Sequence, residues 1–140
     1  MLSDSLDQSS VLQSDPRKVG QIVGIDIVPE LVDIAEKNLK ASANGSALLS
    51  EGVINLLAGN GREVLKNAGP YDVIHVGAFV DDLPISLVEQ LRSPGAMFVP
   101  LRDANDLHGW GHLWLVEKDE QGQILSRRLS DTLIDFVPLI

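Results

Sequence analysis

Hydrophobic positions fall into short runs split by glycine, proline and acidic residues, and the runs alternate between two periods. Residues 21–26 form an apolar run that ends on a carboxylate, Asp26, and predict a buried strand. Pro29 follows, suited to a first helical position because its φ is preset and its missing N–H is not needed there. Glu30 and Asp33 favour the positive end of a helix dipole. Leu31, Ile34, Ala35 and Leu39 recur at helical spacing, and Asn44-Gly45 predicts the stop.

A Ser/Ala/Leu segment leads to a second strand at 53–58, closed by Gly59-Asn60-Gly61. A short helix is expected at 62–66, then a turn at 68–70. Residues 71–76 are nearly all apolar and predict a third strand buried on both faces. A helix at 84–91 turns inward on Leu87, Val88 and Leu91; Ser93-Pro94-Gly95 turns into a fourth strand at 96–99. After residue 100 the rhythm changes. A polar loop at 101–111 precedes a hairpin, 112–118 and 123–129, around Asp119-Glu120-Gln121-Gly122. Residues 132–137 are one more strand or an extension of the second hairpin arm. Alternating strands and helices with an antiparallel ending make an α/β fold: a mostly parallel sheet with an antiparallel edge.

Residues 1–18 are Ser-, Asp- and Gln-rich and read as a polar tail or short helix, leaving one domain over 19–140. They lack an apolar core and carry Asp4, Asp7 and Asp15, so no secretory leader is expected. The chain has no cysteine, which excludes disulfides and thiolate chemistry and fits a reducing compartment. A net charge of −9 argues against binding a phosphate backbone, which needs clustered Lys and Arg. A cytoplasmic monomer is expected, with no nucleic-acid or membrane partner and no metal.

Three candidate sites stand at the carboxyl ends of successive strands, where open α/β sheets bind ligands. They are Asp26 with Ile27, Gly59-Asn60-Gly61, and His75-Val76-Gly77-Ala78. Each alone has a plainer reading. A strand-terminal Asp is often a turn or cap residue, Gly-Asn-Gly is most often a tight turn, and a histidine in an apolar strand is more often a core residue than a base. Three at matching topological positions outweigh one.

Val-Gly-Ile-Asp at 23–26, Pro-Glu-Leu-Val at 29–32, Gly-Asn-Gly-Arg at 59–62 and Tyr-Asp-Val-Ile-His-Val-Gly-Ala at 71–78 resemble the protein-L-isoaspartate (D-aspartate) O-methyltransferase family. Residues 91–100 and Phe136-Val137-Pro138-Leu139 fit the same pattern, so the resemblance runs over 19–139. It implies a Rossmann-like methyltransferase sheet and transfer of a methyl group from S-adenosylmethionine to the carboxylate of isoaspartyl residues in damaged proteins. Asp26 would then accept from the ribose hydroxyls, with Ile27 beside it. Gly59, Asn60 and Gly61 would flank the adenine. His75, Val76, Gly77 and Ala78 would line the crevice between cofactor and peptide, and Val137 would lie near the peptide backbone. The expected partners are isoaspartyl-containing peptides and proteins; no residue is assigned a catalytic acid or base.

The chain departs from the family's pattern in places. Nothing in residues 1–20 matches the Gly-rich turn that follows the family's first strand, so that strand and loop are expected to be missing. Its absence predicts strands at 21–26 and 71–76 without their shared neighbour. Asn60 stands for the usual Asp, and Phe79 and Asp81-Asp82 stand where small apolar residues are usual. Two other readings remain: a truncated, inactive methyltransferase-like product or interaction module, and a dinucleotide oxidoreductase. The second suffers because the pyrophosphate-binding glycines are also missing.

Overall fold

The computed structural model describes residues 20–63, 69–105, 107–132 and 134. The expected tail at 1–18 and most of the expected segments at 62–66 and 132–137 lie outside them. The chain divides between Ala68 and Gly69 into two compact units.

The first unit contains β1 (Ile22–Asp26), α1 (Pro29–Lys40), α2 (Ala43–Ser50) and β2 (Ile54–Ala58). β1 and β2 pair in parallel, from Ile22 opposite Ile54 to Asp26 opposite Ala58. Pro29 opens α1 as expected, Glu30 lies in its first turn, and Lys37 and Lys40 lie in its last. Ala35 and Leu39 are half-buried, but Leu31 and Ile34 remain about half exposed. The apolar arc of α1 is wider than the surface this unit covers.

The expected stop at Asn44-Gly45 is displaced. The chain breaks at Ala41 and Ser42 and restarts at once as α2, whose first turn contains Asn44 and Gly45. The Ser42 hydroxyl accepts from the Gly45 N–H at 3.0 Å, capping the new helix. Glycine is required here for closeness: a Cβ at Gly45 would sit 2.3 Å from the Leu39 carbonyl oxygen. The Ser/Ala/Leu segment is therefore helical.

The second unit contains β3 (Tyr71–His75), α3 (Ile85–Glu89), β4 (Leu91–Arg102), β5 (Gly111–Lys118) and β6 (Ile124–Arg128). The sheet order is β3-β4-β5-β6, parallel between β3 and β4 and antiparallel thereafter. β4 is much longer than expected. Ser93-Pro94-Gly95 lies within it as an irregularity: Tyr71 pairs with Leu91, yet Val73 already pairs with Ala96. The hairpin forms as expected, with the Asp119 carboxylate accepting from the Gln121 and Gln123 N–H groups. Ile134 bridges to Gly111.

The core of this unit joins Val76, Val80, Leu87, Val88, Leu91, Met97, Val99 and Val116. Leu87, Val88 and Leu91 point inward as their spacing predicts. β3 corrects an expectation: it is not buried on both faces, since Val73 is 62% exposed. The reason is its position. Among the described residues, β3 pairs with β4 alone and β1 with β2 alone.

Candidate functional site

In the first unit the structure brings two candidate segments together. The Gly59 N–H donates to the Asp26 carbonyl oxygen at 2.8 Å, so the carboxyl ends of β1 and β2 are joined. Gly59 has φ 152°, a conformation that other residues rarely adopt. The Asp26 carboxylate accepts from the Val28 N–H through Oδ1 at 2.9 Å, which fixes it across the start of α1. Asn60 does the same locally, its Oδ1 accepting from the Arg62 N–H at 3.0 Å. Both residues thus make the plain turn contacts. Neither is exhausted by them: a carboxylate has about four acceptor positions and an amide oxygen two. Ile27 is exposed beside Asp26 and offers an apolar surface at the same strand end.

In the second unit, His75 ends β3 and is exposed. The Val76 N–H donates to the Phe98 carbonyl at 2.9 Å, and its side chain is buried in the core. Val76 can therefore present only its backbone to a crevice. Gly77 is exposed, and a Cβ there would meet nothing within 4 Å. That is open space beside the main chain, room for a ligand to approach. Ala78 is half-buried, and Phe79 and Val80 return to the core. Val137 lies outside the described residues.

Sequence reasoning missed a second cluster in this unit, at 102–103, 112 and 128. It read 101–111 as polar loop and gave those residues no role. Arg102 in fact ends β4 with Nε on the Asp81 carboxylate at 3.0 Å and Nη1 on the Gly109 carbonyl at 3.0 Å. Its guanidinium lies 5.4 Å from the centre of the Phe79 ring. No periodicity announces such pairs, because they join residues seven to about twenty positions apart across a loop and a strand end. The signal that did exist was the departure at Phe79 and Asp81-Asp82.

The geometry can be set beside known proteins. The family model described as protein-L-isoaspartate(D-aspartate) O-methyltransferase matches residues 7–140. The chain belongs to this family. It is 37% identical over 120 residues to protein-L-isoaspartate O-methyltransferase 2 of Arabidopsis thaliana, covering 86% of this chain and 36% of that protein. It is 37% identical over 121 residues to the Methanopyrus kandleri enzyme of the same name, covering 86% of this chain and 48% of that one. The chain therefore spans about half or less of the length of these relatives. A Plasmodium falciparum structure assigned to this methyltransferase, solved with S-adenosyl-L-homocysteine, superposes with a TM-score of 0.72 at 26% identity. The match covers 86% of this chain and 52% of that one. The isoaspartate methyltransferase fold, α/β with parallel and antiparallel pairing, is thus shown for this chain.

Proposed function

We propose that this chain takes part in methyl transfer from S-adenosylmethionine to the carboxylate of isoaspartyl residues in damaged proteins. The observation that carries the reading is the hydrogen bond from Gly59 to Asp26. It joins the two strand ends assigned to the ribose and the adenine by the family pattern.

The donor set fits the cofactor. A ribose diol presents two hydroxyl donors, and Asp26 keeps acceptor capacity beyond Val28. The exposed Ile27 offers apolar contact for a purine face, and the Asn60 amide keeps a lone pair and its NH2 group for adenine. When bound, the cofactor supplies an electrophilic methyl group. The accepting carboxylate is ionised at neutral pH, so no residue must remove a proton from it. The task left to the protein is to align the two reactants and exclude water. His75, the Val76 backbone, Gly77 and Ala78 would line the peptide side, and Val137 keeps its role beside the peptide backbone by resemblance. The same reading makes the protein a cytoplasmic monomer. Among the described residues no helix is long and apolar enough to cross a membrane.

The decisive assay offers an isoaspartyl peptide and its normal aspartyl twin, with labelled cofactor. Base-labile methyl ester on the isoaspartyl peptide alone is expected. Equal labelling of both, or of neither, overturns the reading. A second reading, a methyltransferase-like module without activity, is favoured by the exposed Ile22, Leu31 and Ile34 of the first unit. A version extended upstream separates the two: activity present only in the longer protein supports the module for this chain.

A further inference from the structure

The sequence holds Asn-Gly twice, at 44–45 and at 60–61. This pair is chemically labile, because glycine has no Cβ to obstruct attack by its own amide nitrogen on the preceding side chain. A bond forms from that nitrogen to the asparagine Cγ, and the bond from Cγ to Nδ2 breaks. Ammonia leaves with the proton that the glycine nitrogen gave up. Water then opens the cyclic imide at either carbonyl. One opening leaves aspartate. The other leaves isoaspartate, with the main chain routed through the side chain.

The structure treats the two pairs differently. Asn44-Gly45 lies in the first turn of α2. The Gly45 N–H is committed to the Ser42 hydroxyl at 3.0 Å, and Gly45 is buried against the Leu39 carbonyl. Ring closure needs that nitrogen swung towards the side chain, a rotation that helical ψ does not allow. Asn60-Gly61 lies outside every helix and strand, in the turn after β2. Among the described residues the Gly61 N–H makes no hydrogen bond. Asn60 Oδ1 accepts from the Arg62 N–H at 3.0 Å, and the ring that this bond closes contains the Gly61 nitrogen. The side-chain carbonyl is thereby held beside the peptide that attacks it, and the bond draws electrons from its carbon. Both residues are half-buried, so water reaches the imide.

We propose that Asn60 is a site of spontaneous conversion to aspartate and isoaspartate in the folded protein, and that Asn44 is protected from it. The consequence falls on the turn assigned to adenine, and that part rests on the methyl-transfer reading. The aspartyl product keeps an oxygen to accept from the Arg62 N–H but loses the amide NH2. The isoaspartyl product adds a methylene to the main chain. It also turns the Asn60 carbonyl, which accepts from the Glu63 N–H at 2.9 Å, into a free carboxylate. Conversion therefore limits the working life of the cofactor turn.

The test needs no catalysis. The full chain is kept in mildly alkaline buffer, folded and in denaturant, then cleaved after Glu51, which places the two pairs in separate peptides. Mass spectrometry reads the exchange of amide for carboxyl, and electron-transfer fragmentation separates the two linkages. In the folded chain, conversion at Asn60 is expected to exceed that at Asn44 by about fivefold or more, the weight of one intact helix cap. In denaturant the two rates converge. Gly61→Ala slows conversion at Asn60, since its methyl obstructs attack. The fold tolerates it: a Cβ there meets only the Ile25 side chain, at 4.0 Å, and the backbone is not left-handed. Equal rates at the two sites in the folded chain, or faster conversion at Asn44, overturn the proposal. So does an Asn60 that stays intact while the denatured chain reacts. The link to the cofactor is read separately, by adding S-adenosylhomocysteine. At about ten times its Kd, conversion at Asn60 falls about tenfold. An unchanged rate, or no measurable binding, removes the turn from the cofactor site and leaves the modification site standing.

Discussion

In the unit ending at Ala68, Gly45 alone is buried among the described residues, whereas the unit beginning at Gly69 hides Met97, Val99 and Val116 completely. Both have similar apolar runs. The difference lies in what each run has for cover. Among the described residues, the second unit has four strands and packs α3 onto them, so β4 gains neighbours on both edges. The described residues of the first hold two parallel strands and two helices, and parallel strands need both faces covered. Ile22, Leu31 and Ile34 remain exposed, although their pattern is that of core positions. An amphipathic pattern states where a side chain should be hidden. Hiding it takes a second surface, and the described part of the first unit does not supply one.

The largest expected effect tests this contrast directly. Met97→Ala, at a fully buried position, costs about 2–5 kcal/mol in denaturant unfolding. Ile34→Ala, at a position 53% exposed, costs under about 0.5 kcal/mol in the same measurement. Similar losses at both would break the comparison and show that the apolar face of α1 is covered in solution.

The next effect probes the proposed cofactor end of the first unit. Asp26→Ala removes the acceptor proposed for the ribose, and weakens binding of S-adenosylhomocysteine by roughly tenfold to a hundredfold. It also removes the contact to Val28, so the helical circular dichroism of the variant is recorded alongside. Calorimetry showing unchanged affinity with an intact fold would remove Asp26 from the site.

A smaller effect is confined to packing. At Gly45 an added Cβ meets the Leu39 carbonyl at 2.3 Å, so Gly45→Ala must displace α2 from α1. A loss of about 1–3 kcal/mol is expected, read as faster amide exchange in α2. If α2 exchanges freely in the parent protein, the first unit has no local cooperativity for the change to disturb.

These positions also show how far sequence alone reached. β1, β2, β3 and the hairpin were legible because apolar runs bounded by Gly, Pro and Asp carry their own ends. The helix break at Ser42 was not, since Asn44-Gly45 serves as well inside a first turn as at a stop. The bulge in β4 hid behind Ser93-Pro94-Gly95, whose residues signal a turn whether or not pairing resumes. The nearly all-apolar run at 71–76 argued for burial on both faces, while the missing Gly-rich turn argued for a strand without its neighbour; the exposed Val73 follows the second expectation. At the site, Asp26 and Asn60 were legible as strand-end acceptors, and their turn contacts were the plain alternative already weighed. For Val76 the sequence did not separate backbone from side chain: strand alternation continues past His75 and carries the side chain into the core. Arg102, Asp103 and His112 were invisible, since only the β4–β5 register brings them together.

The smallest effect sharpens the comparison from the other side, because the second unit also hides a polar group without a partner. The Tyr71 hydroxyl is buried without a hydrogen-bond partner. Burial also raises its pKa above the usual tyrosine value. The folded state therefore favours the neutral phenol, and the unfolded chain ionises first, at about pH 10. The resulting contribution is complete below that pH and is lost as pH rises through the folded value. Tyr71→Phe removes both the orphan hydroxyl and this alkaline dependence. It is expected to stabilise the protein by about 1 kcal/mol at neutral pH and to flatten the stability profile above pH 10. The chain has a single tyrosine, so the near-ultraviolet phenolate signal reports this group alone. Destabilisation by Tyr71→Phe would mean that the hydroxyl finds a partner in solution. Titration at the ordinary tyrosine value would mean that β3 opens to water, and that the second unit is less well covered than its core suggests.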